Sequence, residues 1–410
     1  MTLKLFDAFG IEMEYMIVDR DTLDVRPIAD EMLSRLSGRE AASDYESGPI
    51  TWSNELARHV IELKTTLPAS NLRSLPSQFE IAIGELRPVL EQLNVRLLPT
   101  AMHPWMDPTT ETQLWPHENA EIYNAFDRIF DCRTHGWANV QSVHLNLPFD
   151  GDAEFARLHA AVRLVLPLLP ALAASSPLLE GRRSGLHDNR MHHYAGHCHA
   201  MPSLTGDLIP EPIYDEATYR REVFAPIASD VQPHDVDGVF EVDFLNARGA
   251  IARFDRGSVE LRVMDVQEYA GADVAICAAA IGVIKSLVSE DWSRTSDQQP
   301  FSTRRLRDML DRTTVKAEFS LIVDRDYLQL FNINKPSLTA KELWATLLDR
   351  VRRSDQMLAS LFAPIDIIME HGTLATRIIT SLGPTFDRQS LHDLYDELAD
   401  CLDTWEPFKP

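Results

Sequence analysis

Residues 7 to 18 read Asp7-Ala-Phe-Gly-Ile-Glu-Met-Glu-Tyr-Met-Ile-Val18, and this stretch decides the fold. Its period is two: Ile11, Met13 and Tyr15 fall on one side of an extended chain, and Gly10, Glu12 and Glu14 fall on the other. The pattern predicts a strand with one apolar face and one face carrying two carboxylates.

The same grammar recurs along the chain. From Ser142 to Phe149, Ser142, His144 and Asn146 alternate with Val143, Leu145 and Leu147, which predicts a second strand with a polar face. Phe240 to Val266 holds two further strands, and in Ser258-Val-Glu-Leu-Arg-Val-Met-Asp265 the alternation sets Glu260 and Arg262 together, opposite Val259, Leu261 and Val263. Between these strands the period changes. Phe79, Ile83, Leu86, Leu90 and Leu93 are spaced for a helix over Leu75 to Leu93, with Ser74 or Ser77 placed to cap it, followed by a return strand over Val95 to Leu98. A long helix is predicted from Ala153 to Ala174, then a polar, histidine-rich loop region to Pro212. Beyond Ala270 the chain reads as helices: Val274 to Val288, Arg304 to Leu310, Ala340 to Val351, Gln356 to Met369 and Leu391 to Leu402. No Gly/Ser-rich, Pro-rich or single-sign charged stretch marks a linker, so one domain over residues 1–410 is expected, with a sheet-containing core over 1–290 and a mostly helical part over 291–410.

Composition narrows the function. With 45% hydrophobic and 25% charged residues the chain has the makeup of a globular protein with a substantial core. Its 62 acidic against 39 basic residues, a formal charge of -23, exclude a general nucleic-acid binder, which needs a basic footprint. Cys132, Cys198, Cys277 and Cys401 are scattered without a paired spacing and read as reduced thiols, and the first ten residues lack the pattern of a secretory signal, so a cytoplasmic location is expected. The most apolar segment, Ala160 to Leu179, is interrupted by Arg163, Pro167 and Pro170 and reads as a buried helix, so no membrane partner is expected.

Four strand segments carry a carboxylate or an imidazole on the polar face: Glu12 with Glu14, Glu62, His144, and Glu260 beside Arg262. A single strand glutamate is ordinarily an exposed salt-bridging residue. Gathered on one sheet, however, these carboxylates repel by about 4 kcal/mol for a pair about 4 Å apart at an effective dielectric of about 20. Convergence therefore calls for cations, and an oxygen-rich set with one imidazole suits Mg2+ or Mn2+, which keep part of their shell for water and phosphates. Neither a Gly-x4-Gly-Lys-Ser/Thr loop nor a Gly-x-Gly-x-x-Gly turn is present, so a nucleotide would be held through metals.

Gly10-Ile-Glu-Met-Glu-Tyr15, Ile61-Glu-Leu-Lys-Thr65, His103-Pro104, Ser142-Val-His-Leu-Asn146, Ala174-Ser-Ser-Pro-Leu-Leu-Glu-Gly181 and Ser258 to Asp265 occur in the order seen in family-2 glutamate-cysteine ligases, bacterial carboxylate-amine ligases of the glutamine-synthetase-like superfamily. The chain resembles that family from about residue 5 to residue 290, with a weaker echo at Glu370-His-Gly-Thr-Leu-Ala-Thr-Arg377. The resemblance implies an α+β fold, a curved, mostly antiparallel sheet of glutamine-synthetase/guanidino-kinase type with flanking helices, whose concave face forms the active-site funnel. It implies further that the γ-carboxylate of glutamate attacks ATP to give an acyl phosphate, which an amine displaces. Its metal-ligand positions fall on Glu12, Glu14, Glu62, His144 and Glu260, with Glu55 as a further acidic position. The expected partners are then ATP, glutamate and a small amine or amino acid, with cysteine as the default acceptor, and a homo-oligomer is an allowed state.

Around this set, Arg262 is placed to stabilise charge on the transferring phosphoryl group, the alternative being a structural partner of Glu260. Arg190 is a candidate for the substrate carboxylate, and Asn146 for orienting a ligand or substrate. Thr373 and Arg377 either reach nucleotide or substrate or serve as a helix cap and a surface arginine. The cluster His187, His192, His193, His197, Cys198 and His199 offers zinc donors, but its spacing fits no standard zinc signature, and loop histidines are the expected reading. Two rival functions remain: a guanidino-kinase-like phosphotransferase, and a non-catalytic metal- and nucleotide-binding partner of another ligase.

Overall fold

Alternation becomes a sheet because each apolar face needs cover. In the computed structural model, which describes residues 3–410, the opening stretch forms β1 (Gly10–Asp19), and Ile11, Met13, Tyr15 and Ile17 are wholly buried on one face. Met1 and Thr2, the start of the N-terminal segment read above for a signal, lie outside the described residues. The chain continues through β2 (Asp44–Ser47), β3 (Ile50–Asn54), β4 (Val60–Thr65), β5 (Val95–Leu98) and β6 (Ser142–Pro148). A short hairpin, β7 (Leu178–Leu179) and β8 (Arg182–Arg183), stands apart, and β9 (Ala250–Arg253) and β10 (Ser258–Asp265) complete the main sheet. That sheet has eight strands in the order β2-β3-β4-β1-β6-β10-β9, with β5 pairing the far end of β1. Every pairing within it is antiparallel. The fold is α+β.

Directly opposed residues share a face in an antiparallel ladder. Met13 lies opposite Leu63 on β4 and Val143 on β6, and Leu145 lies opposite both Ile11 and Leu261. These side chains join one core with the helices Leu75–Leu93, Gly151–Val165 and Ala270–Val288. Ala270–Val288 is buried on nearly every side, which is why it is apolar all round rather than on one stripe. It is also the helix long and apolar enough to cross a membrane, yet 89% of its apolar window is covered by the rest of the protein.

The helical C-terminal part packs into the same core through Leu306, Leu343 and Trp344, and the Trp344 indole donates to the Leu168 carbonyl at 2.8 Å. The last helix, Arg388–Thr404, is tied to β5 by Arg96, which bonds Asp396 and Asp400.

Several local expectations are corrected. The helix expected over Ala153 to Ala174 is Gly151–Val165, a 3-10 turn Leu166–Leu168 and a short turn Pro170–Ala173, because Pro167 and Pro170 cannot donate to the ladder. Gln356 to Met369 is likewise two helices, Gln356–Ala359 and Ala363–His371, the second with Pro364 in its first turn. The helix Leu75–Leu93 has the expected bounds, but neither serine caps it by side chain; Ser77 instead donates its hydroxyl to the Ser74 carbonyl. The expected loop region before Pro212 contains the helix Asn189–Tyr194, capped by the Asp188 carboxylate on the Met191 amide. The strands β2 and β3 were outside the reading of the sequence.

Candidate active site

The ladder that assembles the core also assembles the opposite face. Glu12 on β1 stands opposite Lys64 on β4 and His144 on β6; Glu14 stands opposite Glu62, and Glu260 on β10 opposite Asn146. Ser53 on β3 extends the row opposite Glu62. Asn146 has room because its partner across β1 is Gly10, where a Cβ would lie 3.0 Å from the Asn146 Cβ. Glu12, Glu14, Glu55, Glu62, His144, Asn146, Glu260 and Arg262, eight of the nine residues read from the sequence as site residues, line one cleft of about 760 Å3.

The cleft is strongly acidic. Seven carboxylates line it against four fixed cations, Lys64, Arg253, Arg256 and Arg262. Burial alone would raise the Glu12 carboxyl, but the His144 hydrogen bond and the charges of His144, Lys64 and Arg262 hold it down at about 2. Its Oε2 lies 3.2 Å from His144 Nδ1, and its Oε1 accepts from Asn146 Nδ2 at 3.1 Å. Burial and the Glu12 charge push Glu62 up to about 6, although Lys64 Nζ donates to it at 2.6 Å and Ser53 at 2.9 Å. Burial, with the charges of Glu62 and Glu14, pushes Glu55 well above the carboxylate range. Burial and Arg262 press the His144 imidazole down, but Glu12, Glu14 and Glu260 outweigh them and raise it. Glu14 accepts from the Ser142 amide at 2.7 Å and its hydroxyl at 3.0 Å, and that hydroxyl lies 2.9 Å from His144 Nε2.

This donor set fits a hard cation. Glu12, Glu62 and His144 each offer one ligand atom, all within 4.8 Å of one another. Among the described residues they form the one such group of histidine, cysteine, aspartate and glutamate. Two glutamates driven toward neutrality by burial and by neighbouring carboxylates are what a cation would relieve. At the next rung Arg262 Nε lies 3.0 Å from Glu260, and Arg253, whose guanidinium sits 4.4 Å over the Phe244 ring, lies 3.7 Å from the other Glu260 oxygen.

Arg190, read as a ligand for the substrate carboxylate, is placed elsewhere. It is buried, with Nε donating to Asp265 at 2.5 Å and both terminal nitrogens 3.3 Å from the Arg262 carbonyl, so its fork is taken by the protein. Arg377 is neither a surface residue nor near the cleft: it is buried and bonds Glu268 at 2.6 Å and the Phe408 carbonyl at 2.6 Å. Thr373 is the helix cap, accepting from the Thr376 amide, and its hydroxyl donates to Glu318. The histidine cluster forms no metal site: His187 bonds the Val315 carbonyl, His197 the Tyr194 carbonyl, and Cys198 is buried among apolar side chains, which pushes its thiol upward. Ser53, Lys64 and Arg253 escaped the sequence reading, which set Ser142 on the polar face without giving it a role. Lys64 stands two residues from Glu62 on a strand, so the period-two rule would have placed it on that face as well.

A model of the glutamate-cysteine ligase family 2 (GCS2) matches residues 8–397. The chain belongs to glutamate-cysteine ligase family 2. It is 30% identical over 401 residues to an uncharacterized protein of Archaeoglobus fulgidus, covering 97% of this chain and 99% of that one. A protein of Leifsonia xyli subsp. xyli provisionally named glutamate--cysteine ligase 2 is 28% identical over 184 residues, 44% of this chain and 45% of its own length. The match thus spans about half the length of such named relatives. Among solved structures, glutamate--cysteine ligase of Francisella tularensis, crystallised in complex with AMP, superposes with a TM-score of 0.64 at 12% identity, over 97% of this chain and 89% of that one. A bifunctional glutathione synthetase of Pasteurella multocida gives 0.62 at 13% identity, over 98% of this chain and 53% of that one. At such identities the likeness is one of fold.

Proposed function

We propose that this family-2 chain is an ADP-forming carboxylate-amine ligase that activates the γ-carboxylate of glutamate with ATP and joins it to an amine. The observation that carries the reading is the carboxylate ladder of Glu12, Glu14, Glu62 and Glu260 around His144, whose negative excess calls for cations and, through them, phosphates. Glu12, Glu14, Glu55, Glu62, His144 and Glu260 would hold Mg2+ or Mn2+. When bound, the metal supplies neutralisation of the β- and γ-phosphate charge.

The residues of the chain do the positioning. Asn146 and His144 fix the Glu12 carboxylate from either side, and Ser142 fixes Glu14, so the ligands are pre-ordered before substrate arrives. A γ-carboxylate oxygen of glutamate bonds to the γ-phosphorus of ATP as the β–γ bridging oxygen leaves with ADP. The amine nitrogen then attacks the acyl carbon, the bond from that carbon to the phosphate oxygen breaks, and inorganic phosphate departs as the nitrogen loses a proton. Arg262, held beside Glu260 with its side chain 28% exposed to the cleft, stabilises charge gathering on the phosphoryl oxygens and on the tetrahedral centre.

The test is release of ADP and phosphate from Mg-ATP with glutamate, offering cysteine, methylamine and a panel of other amines in turn. ADP, phosphate and an amide in equal amounts, only when glutamate and an amine are both present, are expected. A phosphorylated product without free phosphate would instead identify a phosphotransferase.

A further inference from the structure

The two oxygens of Glu62 are not alike. Lys64 stands two residues further along β4, so its side chain leaves the same face of the strand, and its Nζ donates to Glu62 Oε1 at 2.6 Å. The Ser53 hydroxyl, from the residue directly opposite Glu62 on β3, donates to that same oxygen at 2.9 Å. An ionised carboxylate has about four lone-pair sites on its two oxygens, so two donors saturate Oε1. Oε2 accepts from no protein donor among the described residues. Among those residues Lys64 bonds no other carboxylate, and its side chain is 36% exposed into the cleft, under the further charges of Glu12 and Glu55.

We infer that Lys64 is a built-in cation of the site: by holding Glu62 Oε1 it makes Glu62 a one-oxygen ligand of a single ion and keeps it from bridging to a second. The inference rests on the metal reading of the cleft in the proposed function, and says that the cleft takes one divalent ion fewer than its carboxylates alone would admit. Three observations carry it. The ladder sets Glu12 opposite Lys64 and Glu14 opposite Glu62, so Glu62 stands between two carboxylate-bearing rungs. With both oxygens free it would join an ion shared with Glu12 and His144 to another shared with Glu14 and Glu55, whose charges bear on one another. Such a bridge needs Oε1, and Oε1 has no lone pair left to give. Finally, a divalent ion on Oε1 would stand beside an ammonium bonded to the same atom, and the burial of Glu62 leaves that repulsion little screened. The ammonium keeps two further N–H donors with which to meet a phosphate oxygen in place of the ion it excludes.

The experiment is titration of the full chain with Mn2+, the free ion being followed by electron paramagnetic resonance, without nucleotide or glutamate. Comparing each variant with the native protein cancels the ions held by the acidic surface. Lys64→Met, which keeps the reach of the side chain but removes its charge and its donors, is expected to bind one Mn2+ more per chain than the native protein. Lys64→Ala is read beside it, so that the outcome does not hang on the folding of one variant, and circular dichroism and melting show which variants are folded. Lys64→Arg, which restores the charge and the donors, is expected to bind the native number. An unchanged or smaller number in the folded uncharged variants, or a gain in Lys64→Arg, overturns the inference and leaves the metal reading of the cleft standing. If Glu12→Gln binds as many ions as the native protein and as tightly, the cations lie elsewhere, and the metal reading falls together with this inference.

Discussion

Two regions of this protein bury charge, and they do so in opposite ways. Outside the cleft, buried arginines are paired with carboxylates: Arg190 with Asp265, and Arg377 with Glu268, each pair almost wholly out of water. In the cleft, carboxylates outnumber cations, and two of them, Glu55 and Glu62, are pushed upward by burial and by their own neighbours. A matched pair is a finished structure; an unmatched cluster costs stability unless something else completes it. The difference separates the residues that hold the fold from those that await a ligand.

The comparison breaks first at the cleft. Glu12→Gln or Glu260→Gln is expected to lower kcat at least about 10³-fold while leaving circular dichroism and melting cooperativity intact, because each removes a charge from the surplus. Retained turnover in both variants would remove these residues from the site. On the matched side the effect is on stability. Arg377→Met should cost about 3 kcal/mol in urea unfolding by stranding Glu268, and adding Glu268→Leu should recover most of the loss. A double variant no more stable than the single one would contradict the pairing.

Between the two regions lies Arg262, paired yet partly open. Arg262→Lys should reduce kcat about 10²-fold with a smaller change in the KM for ATP, whereas a purely structural partner of Glu260 would show its loss in stability. Mg2+ without nucleotide should raise the stability of the native protein, by about 2.7 kcal/mol at a hundred times its dissociation constant, and chelation should reverse it. The gain should disappear in Glu62→Gln and persist in the Arg377→Met/Glu268→Leu protein.

A separate effect, on the pH dependence of stability, comes from buried groups that stay neutral. Burial holds His59 and His103 down at about 4 and, with the Arg163 charge, His159 at about 3. Between pH 6.5 and 4 the unfolded chain takes up protons that the folded chain refuses, so stability falls as the pH drops, by about 1.4 kcal/mol per pH unit for each histidine, and levels off below the folded values. His159→Phe, which keeps the packing on Phe155, should flatten that slope by about one histidine's share in urea titrations at several pH values.

What the sequence made readable follows from the range over which its signals act. Strand alternation is local, so the faces of Glu12, Glu14, His144, Glu260 and Arg262 were legible, as were both ends of the helix Leu75–Leu93 and of β5. The convergence of these strands was legible through the family motifs, not through alternation, which says nothing about register. Helix breaks at Pro167, Pro170 and Pro364 were written in the chain but overridden by apolar periodicity. The fates of Arg190 and Arg377 were not legible: their partners lie 75 and 109 residues away, and no local pattern tells a structural guanidinium from a substrate-binding one.

The account's central claim is that ATP activates a carboxylate of the substrate in this cleft. It is tested most directly with glutamate labelled with 18O in the γ-carboxylate, turned over with Mg-ATP and the amine that elicits ADP release. Transfer of one labelled oxygen to the inorganic phosphate for each amide formed is the predicted result; phosphate carrying no label, with both labelled oxygens still in glutamate, would contradict it.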